Sequence, residues 1–131
     1  MLLVLYVSCK GSTSKNLSFS SIDTTTIKVG KALKLIKENA SNPNFVILDV
    51  RKSDDYIKEH IPQAINIDFK STNFSARLDS LNISKTYVVI CYAGVRSKST
   101  MQQMAKLNFK KVYSIKGGMM KWKSKGLPVT K

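Results

Sequence analysis

The sequence predicts an α/β domain, an open and mostly parallel sheet with helices on both of its faces. Three observations carry that prediction. Short apolar runs of strand length alternate along the chain with segments of helical spacing. The runs are continuous rather than alternating with polar residues, as in strands covered on both faces. The segments between them are long enough for the crossover helices that parallel pairing requires. With 131 residues, 43% of them apolar, the chain holds enough material for one core of ordinary size.

The chain opens on a separate region. Met1 to Val7 are apolar, Ser8-Cys9 follows, and a Ser/Thr-rich run extends to Thr26. Seven residues fall far short of the ~20 needed to span a bilayer, yet they match the short end of a signal-peptide apolar region. Residues 1–8 resemble a bacterial lipoprotein signal, in which a small residue precedes the cysteine that becomes the lipidated N-terminus. The resemblance implies a lipid on Cys9 and a place in the cell envelope, anchored to the membrane and facing the periplasm. Without that signal the chain would be cytoplasmic. The composition of residues 9–26 reads as a flexible tether, which leaves 27–131 as the folded domain.

From Ile27 onward the pattern becomes periodic. In "VGKALKLIKENA", Ala32, Leu33, Leu35 and Ile36 lie near one helical face and Lys31, Lys34 and Lys37 on the other, so this is a first amphipathic helix. "NFVILDV" is a strand. Ser53 is placed to cap the following helix, "SDDYIKEH", whose first turn carries Asp54 and Asp55. "AINID" after Pro62 is a second strand and "TNFSARLDSLNIS" holds a short helix. "TYVVICY" is a strand, followed by the helix "RSKSTMQQMAKLNF" with Met101, Met104, Ala105 and Leu107 inward. "KKVYSIKG" is the last strand. "GMMKWKSKG" is the last helix, with Met119, Met120 and Trp122 packed on the sheet and Gly126 and Pro128 ending it.

Charge narrows the function. Twenty-two Lys and Arg stand against eight Asp and Glu, a formal charge of +14. Nearly all the cations are scattered lysines, without the arginine clusters or aromatic interleaving that nucleic-acid surfaces use, so a solvated basic surface is expected and no nucleic acid. The two cysteines, Cys9 and Cys91, are too few for a disulfide framework.

Cys91 is the residue to explain. It ends a strand and precedes "YAGVRS", a tight turn into a helix. A thiol there is surrounded by backbone amides and the positive end of a helix, both of which favour the thiolate. Gly94 permits positive φ, so the amides of Tyr92, Ala93, Gly94, Val95 and Arg96 can converge above the sulfur. Arg96 adds a fixed charge, for an anionic substrate or for anchoring the loop. Cysteines at strand ends are often inert core residues. A nucleophile accounts for Gly94 and Arg96 together, which a core cysteine does not.

"CYAGVRS" resembles the active-site loop of rhodanese-type sulfurtransferases. The likeness extends to "VILDVRKSDDYIKEHIPQAINI" and to "VYSIKGGMMKWKSKGLPV", three motifs in the family's order covering Ile27 to about Thr130. It implies a five-stranded rhodanese-like sheet and sulfur transfer through a persulfide on Cys91, with residues 92–96 as the substrate and persulfide loop. The partners implied are a small anionic sulfur donor, thiosulfate or a persulfide, and a thiol or cyanide acceptor, with no metal or organic cofactor. Four residues separate Cys91 from Arg96, one fewer than in the loop of cysteine phosphatases, which must encircle a tetrahedral phosphate. A non-catalytic rhodanese-type binding module is the alternative. Glu59 and Gln63 stand where the family usually has glycines, and Tyr92 stands where some thiosulfate-using members carry a cation. Asp49 and Arg51, two apart at a strand end, are expected to form a supporting ion pair by the site. His60 is expected in a structural turn, since a dipole-stabilised thiolate needs no base. Ser97 and Ser99 are expected to serve the start of the helix after the loop.

Overall fold

The computed structural model describes residues 22–131. Residues 1–21, which include Cys9 and the resemblance to a lipoprotein signal, lie outside the described residues. The elements in chain order are β1 (Asp23–Ile27), α1 (Val29–Glu38), β2 (Phe45–Asp49), α2 (Ser53–Lys58), β3 (Ile65–Asn66), α3 (Phe74–Asp79), β4 (Thr86–Ile90), α4 (Val95–Lys106), β5 (Lys111–Ile115) and α5 (Gly118–Ser124). Five strands form one sheet in the order β1-β5-β4-β2-β3, and every pair is parallel.

The period-2 alternation of each strand divides the core in two. Ile47, Val88, Ile90 and Ile115 face one side, with Ala32 of α1 and Met119 and Trp122 of α5. Leu48, Val89 and Val112 face the other, with Phe74 and Leu78 of α3 and Met101 and Met104 of α4. Helices thus cover both faces, and strands β4 and β5 at the centre are buried on both, which explains their unbroken apolar runs.

The structure corrects the elements in four places. Strand β1 starts at Asp23, inside the stretch expected as tether, and pairs with β5 from Asp23↔Lys111 to Ile27↔Ile115. It is an edge strand with only Ile27 buried, so Thr24, Thr25 and Thr26 follow β-branched preference without an apolar signal. Ser53 is the first residue of α2 rather than its cap, and its hydroxyl donates across to Asn66 Oδ1 at 3.2 Å. Leu107 lies past the end of α4 and is 37% exposed, and Met120, 52% exposed, points away from the sheet that Met119 and Trp122 pack on.

The turn after α2 tests the two missing glycines. Glu59 is extended at φ −166°, a conformation any residue adopts, so glycine is not needed there. Gln63 has φ +70°, in the left-handed region. A side chain costs about 1 kcal/mol in that region, so Gln63→Gly should stabilise the protein by about that amount, read as a higher urea midpoint at unchanged slope. His60 belongs to the same turn. Its Nδ1 lies 2.7 Å from the Tyr56 carbonyl oxygen, its ring stacks on Tyr56 at 3.9 Å, and its backbone bridges to Thr130.

Candidate active site

Cys91 is the residue immediately after β4, 1% exposed, on the face of the sheet that α4 covers. The chain turns through Tyr92, Ala93 and Gly94 into α4. Gly94 has φ +101°, and a β-carbon on it would also stand 3.1 Å from the Gly117 amide nitrogen. That turn aims the Gly94 N–H at Cys91 Sγ, 3.1 Å away. The thiol also lies 3.5 Å from Ser97 Oγ, which donates to the Gly94 carbonyl at 3.2 Å and stands 2.9 Å from Ser114 Oγ.

Burial pushes the Cys91 thiol up. Hydrogen bonds from the Ser97 hydroxyl and from the backbone of Ser97, Gly94 and Ala93 outweigh that penalty, and its pKa falls below the ordinary 9.0. At any pH below that value, more of Cys91 is thiolate than of a cysteine in an unfolded chain. The Gly94 amide is the one within hydrogen-bond distance of the sulfur among the described residues. Val95 is the first residue of α4, and its side chain is 77% exposed.

The side chains of Tyr92 and Arg96 take a different place. With Lys58, Asp55, Met119 and Lys123 they line a cleft of about 380 Å³ beside the loop. Arg51 and Glu59 also reach it. Among the described residues, Lys123 pairs with Glu59 and Arg51 with Asp49, which leaves Lys58 and Arg96 against the single carboxylate of Asp55. That balance suits a small anion.

Asp49 and Arg51 form a buried, forked ion pair. Arg51 donates to Asp49 Oδ2 at 2.8 Å from its terminal nitrogen and to both carboxylate oxygens at 3.1 Å from Nε. Its terminal nitrogen also donates to the Glu59 carbonyl at 2.6 Å, and its amide donates to Asp49 Oδ1 at 2.9 Å. The pair therefore joins the end of β2 to the end of α2, one wall of the cleft.

Three features of the site were not read from the sequence. Ser97, expected to serve the helix start, is fully buried and is the thiol's side-chain neighbour. Ser114 is fully buried behind it, and its only signal was a hydroxyl inside the otherwise apolar strand "VYSI". Gly117 and Gly118 form the turn into the last helix, as their sequence suggests, and what the sequence did not show is that this turn holds the back of the loop. The Met119 amide donates to the Cys91 carbonyl at 2.8 Å and the Met120 amide to the Tyr92 carbonyl at 3.0 Å. Gly118 lies so close that a β-carbon there would overlap both carbonyl oxygens. None of the helices among the described residues is long and apolar enough to cross a membrane.

A parallel α/β domain with a hydrogen-bonded cysteine beyond the carboxyl end of a central strand places a candidate nucleophile where open α/β sheets bind their ligands. The family model for the rhodanese-like domain matches residues 32–125. Thiosulfate sulfurtransferase GlpE of Coxiella burnetii is 36% identical over 95 residues, 72% of this chain and 82% of that protein. The protein of the same name from Actinobacillus pleuropneumoniae serotype 3 is 32% identical over 105 residues, 80% of this chain and 92% of its own. Among solved structures, a rhodanese-related protein from Thermoplasma volcanium superposes with a TM-score of 0.67 at 27% identity, covering 81% of this chain and 97% of its own. The chain belongs to the rhodanese-like domain family, and it is a sulfurtransferase of the rhodanese type.

Proposed function

We propose that the protein moves a sulfane sulfur from a small anionic donor, thiosulfate or a persulfide, to a thiol or cyanide through a persulfide on Cys91. The observation that carries this reading is the thiol itself, buried, capped by the Gly94 amide at 3.1 Å and held below its ordinary pKa. The thiolate attacks the outer sulfur of the donor. A new S–S bond forms as the donor's own S–S bond breaks, and with thiosulfate the departing group is sulfite, which carries off the electron pair. The acceptor then attacks the outer sulfur of the persulfide and releases the Cys91 thiolate unchanged. The amides that lower the pKa of the thiolate also favour negative charge on the persulfide. Lys58 and Arg96 at the cleft supply cations to draw the donor, in place of the cation that Tyr92 replaces.

Incubation with thiosulfate followed by intact-mass measurement should add one sulfur atom, removable by a reducing thiol. A gain from a persulfide donor alone would reassign the donor. No gain from either would overturn sulfur transfer and favour the binding module.

The protein is also proposed to be anchored in the cell envelope by a lipid on Cys9. Supporting this are the apolar run Met1 to Val7, the small Ser8 and the Ser/Thr-rich stretch that follows. Expression in a bacterial host with labelled palmitate should label the chain, and Cys9→Ser should remove the label. A soluble chain still beginning at Met1 would sink the assignment.

A further inference from the structure

Ser114 has no place in the sulfur-transfer reading, yet its hydroxyl is buried two atoms' reach from the thiol. It lies on β5, the strand beside β4, and on the same face of the sheet as Cys91. Among the described residues its one side-chain partner is Ser97 Oγ at 2.9 Å, and Ser97 Oγ is in turn 3.5 Å from Cys91 Sγ. Ser97 and Ser114 are both fully buried, so the chain of hydroxyls has no access to solvent water.

The proton count along this chain differs between the two states of the cysteine. Ser97 has one proton to give and two lone pairs to fill. With the thiol neutral, S–H donates to Ser97 Oγ, and Ser97 is free to donate to the Gly94 carbonyl 3.2 Å away. With the thiolate, the sulfur has no proton to offer, and Ser97 must turn its own O–H toward the sulfur. Its oxygen then needs a donor, and Ser114 is the hydroxyl within reach. Without that donor, the ionised state would leave a buried acceptor unpaired, while the neutral state would not. A hydroxyl that receives a hydrogen bond is also a stronger donor, so Ser114 strengthens the bond from Ser97 to the sulfur.

We infer that Ser114 is a positioning residue for the nucleophile, acting through Ser97 to hold Cys91 in its thiolate form. The inference rests on the sulfur-transfer reading for its purpose but not for its test, which reads ionisation rather than turnover. The charged groups on the surrounding elements are the Asp49–Arg51 pair at the end of β2, Arg96 on the first turn of α4 and, across the cleft, Asp55 and Lys58 of α2 with the Glu59–Lys123 pair. Of the titratable groups on β5, Lys111 is exposed at its start and Tyr113 faces the opposite side of the sheet, where its hydroxyl donates to Asp23.

The test is an ultraviolet titration of the Cys91 thiolate in the full chain, with the curve of Cys91→Ser subtracted to remove Cys9. Ser114→Ala should raise the pKa of Cys91 by about half a unit to one unit, so that the thiolate fraction well below the pKa falls about threefold to tenfold. Ser97→Ala should raise it at least as far. In the double variant the Ser114 change should add nothing, because its effect passes through the Ser97 hydroxyl. A merely structural role would not produce that non-additivity. Ser114→Thr against Ser114→Val, alike in shape and differing in the hydroxyl, repeats the comparison if the alanine variant folds poorly, with the lower pKa expected for threonine. An unchanged pKa in Ser114→Ala, or shifts that add fully in the double variant, would overturn the inference. Absence of sulfur transfer with the pKa pattern intact would count against the reaction and leave the hydroxyl chain standing.

Discussion

Cys91→Ser is expected to abolish cyanide-dependent formation of thiocyanate from thiosulfate, a loss of at least about a thousandfold. The serine hydroxyl matches the thiol in shape and would fit the space among Gly94, Ser97 and the end of β4. It differs in chemistry. A hydroxyl is not ionised by hydrogen bonds of this strength near neutral pH, and an oxygen nucleophile does not carry a sulfur atom as a persulfide. Thermal unfolding of the variant should remain close to that of the parent, which separates loss of the nucleophile from loss of the fold. Activity surviving the substitution would assign the chemistry to another group. Inactivity of both proteins toward thiosulfate and persulfide donors would move the reading to the binding module.

The second large effect is expected in stability. Asp49→Ala removes the carboxylate that neutralises Arg51, whose side chain is almost wholly buried. The guanidinium would keep only the Glu59 carbonyl as a partner. Removing one member of a buried ion pair costs about 3–5 kcal/mol, because the remaining charge stays desolvated and unpaired. The urea midpoint should fall accordingly, with the slope preserved if unfolding stays two-state. Asp49→Asn, which keeps the shape and one acceptor oxygen, should lose less. A midpoint left unchanged by the alanine variant would mean that Arg51 swings out into the cleft and finds water.

How much of this was legible before the structure follows from where each residue makes its contacts. Strands β2, β4 and β5 were visible as continuous apolar runs because both faces of the sheet are covered. Strand β1 was not, since an edge strand with one buried residue has no hydrophobic period to detect. Cys91, Gly94 and Arg96 could be singled out because the demands of a thiolate and of a positive-φ turn are local. The pairing of Asp49 with Arg51 was legible for the same reason, two residues apart at a strand end. Ser97 was visible but misread, because a serine in the first turn of a helix ordinarily serves the helix. Ser114 and the amides of Met119 and Met120 reach the loop only through the parallel packing of β5 beside β4, a relation between distant segments. Spacing along the chain does not encode it.

The attachment of Cys91 and Tyr92 to the first turn of the last helix has a consequence for how the protein is made. The carbonyls of the loop are fixed by amides that lie 28 residues further along the chain. While the polypeptide is being synthesised, the residues of "CYAGVRS" emerge well before the segment that braces them. Until α5 docks, the turn at Gly94 has no backing and the sulfur no organised set of donors. Cys91 is then an ordinary thiol, protonated at neutral pH and slow to react. Reactivity is thus acquired only once α5 is in place, and a product truncated before α5 that carries the whole motif would be chemically quiet.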